Sequence, residues 1–241
     1  MGAALAVDLR GLADRGWDAS RLLVVADVLR RAHAEAGDTT SRLVVLADDD
    51  ASELQRPLGV RAPTARTTTV AQAVTVLGGP ASVAVVLAHP DRPNGAPVRA
   101  HASLRVGPTT LRAHGAAAAP TVEPFLLDRD PLALRLALLH FPWPAQAALS
   151  LARLRRADET LDRWRTKVAG WWYLPREPPP DEAVTVTAGL VTALETGAAL
   201  RLLHRLEMDP RLPSGAKYSA FTDLDRVLGL DLGRLVGTLP L

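Results

Sequence analysis

The amino-acid sequence predicts an α/β protein in which a small parallel sheet is followed by a bundle of helices. Short aliphatic runs alternate with helical patterns over the first 120 residues, and after the AAAAP joint at 116–120 only helical spacing is found, broken by prolines. Apolar residues make up 48% of the 241, enough to bury a real core. The chain divides into 1–120, an α/β domain, and 121–241, a helical bundle domain.

Ala3 to Val7 is an apolar run suited to a buried strand, and Ser20 to Ala36 has helical spacing with Gly37 as its stop. Asp18, just ahead of that helix, reads first as an N-cap. Arg42 to Ala47 is a second strand, ending in Asp48, Asp49 and Asp50, which read as turn formers or, alternatively, as metal ligands. Strand, helix and strand with short links make a βαβ unit, whose crossover is right-handed. Residues 51–69 carry Pro57 and Pro63 without a clear period and read as a loop. A second unit runs from Ala71 through Gly78, Gly79 and Pro80 to a strand ending near Leu87, and residues 98–107 form a further strand. Beyond the joint, helices are expected over 131–141, 145–172, 181–194, 197–208 and 214–228. In the longest, Ala147, Leu151, Leu154, Leu161, Trp164, Val168 and Trp171 recur at helical steps and predict a core-facing stripe. Trp171, Trp172 and Tyr173 at its end read as a core aromatic cluster or, alternatively, as part of a partner surface.

A formal charge of +2 gives no strong electrostatic case for nucleic acid, although the isoelectric point is about 9.5. Lys167 and Lys217 are the only lysines among 28 basic residues. Cysteine is absent, which excludes disulfides, thiolate metal ligands and a cysteine nucleophile. Asp8 falls within an N-terminus that lacks a basic leader, and no apolar run reaches the ~18 residues of a membrane span, so the expected location is cytoplasmic, without membrane contact. Phosphate loops, nucleophile elbows and paired-histidine zinc motifs are not found.

Three blocks carry a resemblance. LLVVADVLRRAHAEAGDTTSRLVVLADDD (22–50) resembles the segment of cysteinyl-tRNA synthetases, and of the related cysteine ligase of mycothiol biosynthesis, that follows their HIGH signature. LDRDPLALRLALLHFPWPAQAALSLARLRRADETLDRW (127–164) is similar to the family's segment after its KMSKS loop. ALETGAALRLLHRLE (193–207) with DLDRVLGLDL (223–232) resembles its terminal helices. The blocks stand in the family's order and together cover 92 of the 241 residues. The resemblance implies a reduced class I synthetase-type Rossmann-like sheet and a helical bundle, without an anticodon-binding domain.

Carried over residue by residue, the HIGH tetrad falls on Gly16, Trp17, Asp18 and Ala19, so both phosphate-contacting histidines are missing. The KMSKS-like loop falls on Thr109, Thr110, Leu111, Arg112 and Ala113, where only Arg112 keeps a cation. The first zinc cysteine falls near Val7, most of the insertion bearing the other ligands is deleted, and His89 alone cannot hold zinc. Gly78 and Gly79 match the family's glycine turn near adenosine, and His101 its strand histidine; a plain turn and a packed histidine are the competing readings.

The resemblance therefore implies a catalytically degenerate relative whose remnant ATP or adenylate pocket would use Gly16, Trp17, Asp18, Gly78, Gly79, His101, Thr109 and Arg112. Neither catalytic residues nor a metal are expected, and ATP with Mg²⁺ is the one cofactor left open. A full-length synthetase or a biosynthetic enzyme is the expected partner. Two alternatives stand beside it: an adenylate-forming ligase with a rebuilt pocket, and a tRNA-binding module using Arg153, Arg155, Arg156 and Arg163, with Arg165 on the same helix. Asp158, Glu159 and Asp162, interspersed there, favour a solvated, salt-bridged face.

Overall fold

A computed structural model describes residues 4–10, 12, 16–38, 40–47, 56–78, 85–88, 102–112 and 129–238, with the backbone alone for 85–88, 102–104 and 112. Strand β1 (Ala4–Asp8) is buried along its whole length and pairs in parallel with β2 (Arg42–Leu46), from Ala4 opposite Arg42 to Asp8 opposite Leu46. Helix α1 (Gly16–Glu35) makes the crossover between them. Strands β3 (Ala65–Thr67), β4 (Val85–Ala88) and β5 (Ala102–Arg105) complete a five-stranded sheet of order β3-β2-β1-β4-β5, parallel at every pairing.

The aliphatic runs in β1 and β2 follow from burial on both faces, as parallel sheets require. Leu5, Val7, Leu43 and Val45 join the core that contains α1, while the alternate residues Ala4, Ala6, Val44 and Leu46 pack with Ala73 and Leu77 of α2 (Val70–Leu77). The strand order reverses between β1 and β4, and in open parallel sheets ligands bind outside the carboxyl ends of the strands at such a reversal.

Beyond the sheet, β6 (Thr109–Arg112) pairs in parallel with β7 (Ala147–Ser150) as a separate two-stranded ribbon. Helices α3 (Pro131–Leu139), α4 (Leu151–Trp171), α5 (Asp181–Ala193), α6 (Thr196–Met208) and α7 (Ser214–Leu228) build the rest. One continuous set of buried apolar side chains runs from Leu5 to Leu232, so the sheet and the helices share a core.

Four expectations are corrected. The loop expected over 51–69 contains β3, an edge strand whose residues are half exposed and whose pairing with Val44–Leu46 supplies the order that its sequence does not. The helix expected from Ala145 begins at Leu151: Ser150 caps it, its hydroxyl accepting from Arg153 N at 3.2 Å, and Ala147–Ser150 is strand. The predicted stripe accordingly holds at Leu154, Leu161, Trp164 and Val168, whereas Leu151 is 46% exposed. Of the aromatic cluster, Trp171 packs edge-on against Phe221 at 5.2 Å, but Trp172 and Tyr173 are exposed. Asp18 is not a cap, because α1 already begins at Gly16. Gly37, with φ of 92°, does end α1, and Asp38 N donates back to His33 O at 2.9 Å.

A second polar centre ties α1 to the bundle. Asp27 is fully buried and meets Arg31 at 2.6 Å and Arg135, equally buried, at 2.7 Å. Arg135 also donates to Leu228 O and Leu58 O, and Arg61 N donates to Asp27. Burial pushes the Asp27 carboxyl up, but Arg135 and Arg31 outweigh it and hold it below the usual carboxylate range.

Candidate functional site

The place to look for a ligand is the first turn of α1, since the chain leaves the carboxyl end of β1 and enters a helix whose free N–H groups attract anions. Here the chain supplies its own anion. Asp18, 7% exposed, accepts a 2.5 Å hydrogen bond from Thr109 N, 91 residues away, while Trp17 beside it is nearly buried. At the end of β1, Asp8 accepts from Arg10 Nε at 3.0 Å and from its terminal nitrogen at 2.9 Å.

One turn further along α1, Arg21 is 1% exposed and donates to Gly107 O at 2.9 Å, Pro108 O at 3.0 Å and Pro142 O at 2.9 Å. Burial lowers its pKa to about 10, against the opposing pull of Asp18. Gly107 N closes the arrangement by donating to Trp143 O at 2.9 Å. The two backbones approach so closely that a Cβ on Gly107 would lie 2.3 Å from Ala145 O. Gly107→Ala is therefore expected to destabilise by about 1–3 kcal/mol, since backbone must move to admit the methyl; a thermal melt against wild type measures it.

These contacts determine what becomes of the expected signature loop. Thr109 to Arg112 is not a loop: each residue pairs with β7, from Thr109 opposite Ala147 to Arg112 opposite Ser150. Asp18, Arg21 and the β7 pairing thus hold in place a segment that the resemblance makes a catalytic loop.

The other candidates are dispersed. Gly16, Trp17 and Asp18 share the first turn of α1, and Thr109 joins them through Asp18. Gly78 does not join them: it ends α2 with φ of 92°, its N–H turned back to Thr75 O. Its neighbour Val76 accepts from Arg42 at the start of β2, which places this turn at the amino edge of the sheet. Gly79, His89, His101 and Asp48–Asp50 lie outside the described residues. Val7 is wholly buried between Val45 and Leu87 in the sheet, a position closed to any metal ligand. Among the described residues, no group of three or more histidine, cysteine, aspartate or glutamate side chains could hold a metal ion.

The arginines of α4 are put to separate uses. Arg153 lies 4.9 Å over the Phe141 ring, Arg156 bonds back to Ala152 O, and Arg163 pairs with Glu207 at 2.7 Å. Arg155 is exposed, while Arg165 is buried and donates to Asp130, Leu230 O and Asp231 O. Arg153, Arg155, Arg156 and Arg163 all stay exposed, while Arg165 is withdrawn from that face.

The sequence pointed to Asp18 but missed Arg21. The available signal was an arginine on the same helical face as Val24 and Val28, three and seven residues on.

No protein-family model matches the chain, and no curated protein aligns with it significantly. No helix among the described residues is long and apolar enough to cross a membrane.

Proposed function

We propose that this chain is a catalytically degenerate relative of the cysteinyl-tRNA synthetase and mycothiol cysteine ligase group. It keeps a Rossmann-like scaffold and helical bundle and acts as a binding or regulatory partner of a full-length synthetase or biosynthetic enzyme. The scaffold part of the reading is supported by the parallel β3-β2-β1-β4-β5 order with α1 crossing from β1 to β2. The single observation that carries the loss of catalysis is the Asp18 carboxylate bonded to Thr109 N in the first turn of α1.

Adenylate formation places negative charge on phosphate oxygens, and loss of one positioned donor costs about 10²–10³ in rate. In this chain the histidines are absent and a carboxylate stands among their positions, where it would repel the triphosphate. The residues present do not fit ATP at this turn, nor zinc near Val7. The rebuilt-pocket alternative is weakened by the same bond, because Asp18 is committed to Thr109.

Hydrogen exchange of the full chain with and without Mg²⁺–ATP tests the reading. The amides of Gly16–Ser20 and Thr109–Arg112 are expected to exchange at unchanged rates; protection confined to these segments would overturn it.

A further inference from the structure

A cleft of about 630 Å³ opens beside Arg31 near the C-terminal end of α1, between that helix, the segment around Arg56–Gly59 and the end of α7. Its volume lies in the ordinary range for small-molecule sites. Four arginines line it: Arg31, Arg56, Arg226 and Arg234. Two carboxylates also line it, Asp225 and Asp231.

The balance of partners leaves positive charge over. Arg31 and Arg135 both rest on one carboxylate, Asp27, at 2.6 and 2.7 Å. The nearest further acid, Asp225, spends its oxygens on Leu230 N at 2.6 Å and Leu232 N at 2.8 Å, and its burial favours the neutral form. Arg31 stays 14% exposed; beyond Asp27 it donates to Gly59 O at 3.0 Å and, in a long 3.5 Å bond, to Arg226 O. Arg56 is exposed at the rim with no partner among the described residues. Arg226 has Asp223 at 3.3 Å and Glu35 at 3.9 Å, and Arg234 has Asp231 at 2.9 Å and Asp130 at 2.6 Å, a carboxylate it shares with Arg165, but both arginines are about half exposed or more, where such pairs are weak.

At the cleft wall the backbone leaves room for Arg31. Gly229, with φ of 65°, has no Cβ where one would fall 2.8 Å from the Arg31 guanidinium carbon and 2.7 Å from Arg135. Planar guanidiniums lining one cleft suit the oxygens of a phosphate group, which such side chains hold in bidentate fashion.

We propose that this cleft binds a small phosphate-bearing molecule through Arg31 and Arg56, with Arg226 and Arg234 at its edge. The site is separate from the first turn of α1, and its test is independent of the functional reading above. Calorimetric titration of the full chain with inorganic pyrophosphate at low ionic strength is the experiment. Saturable binding is expected with Kd below about 1 mM, weakened about tenfold or more by Arg56→Glu and less by Arg56→Gln. Arg211→Glu, at a 90% exposed side chain away from the cleft, should leave it unchanged, and all three variants should melt as wild type does. Absence of saturable binding, binding that Arg56→Glu leaves intact, or equal weakening by Arg211→Glu would each overturn the proposal.

Discussion

Asp27→Asn is expected to cost the fold about 3–5 kcal/mol, the usual penalty for breaking a buried ion pair from one side. Asp27 and Arg135 are both fully buried, and Asp27 also anchors Arg31 and Arg61 N. The substitution keeps the shape of the side chain but leaves two guanidiniums facing a neutral amide. Because Arg135 reaches Leu228 O and Leu58 O, the damage extends to the ends of α7 and to the segment before β3. Urea denaturation followed by circular dichroism should show the midpoint shift.

The same substitution predicts a pH signature. The folded Asp27 carboxyl lies below its unfolded value of about 3.9, so its contribution is fully present above that pH and is lost as pH falls through the folded pKa. The stability gap between wild type and Asp27→Asn should therefore be constant near neutrality and narrow below about pH 4. A gap that widens with acid would show that the pair is not what stabilises this centre.

Arg21→Met should cost about 2–4 kcal/mol, because the carbonyls of Gly107, Pro108 and Pro142 lose their buried donor while the methionine fills only the apolar stem. The effect should also be directional: amides of β6 should exchange faster while those of β1 and β2 hold. That pattern follows from Arg21 acting as a clamp between α1 and β6 rather than as part of the sheet. Uniform acceleration throughout the chain would instead make it an ordinary core residue.

Much of this fold is legible in sequence because the informative patterns are local. The aliphatic runs of β1 and β2, the helical spacing of α1 and the helices α5 to α7 emerge within two or so residues of their expected ends, apart from α1, which starts four residues earlier. The edge strand β3 and the strand β7 do not. ART is too short and too exposed for alternation to show, and AALS lies within a run of helix formers that turns to strand by pairing with β6.

The candidate site divides the same way. Asp18 is visible as an acid at a helix start, but its partner Thr109 is distant in sequence, so only the folded chain shows that it acts as a tie and not as a cap. Arg135 gave a sign that could have been read: a lone charge within PLALRLALL demands a buried partner, though nothing local says that it is Asp27.

Cysteine-dependent ATP–pyrophosphate exchange by the purified full chain tests the central claim most directly, because it reads adenylate formation itself. With a carboxylate at the first turn of α1 and β6 held in a strand, exchange is expected to stay at the no-protein background. Exchange at an ordinary enzymatic rate, about 1 s⁻¹ or faster, would contradict the account and show that the chain activates its substrate by another route.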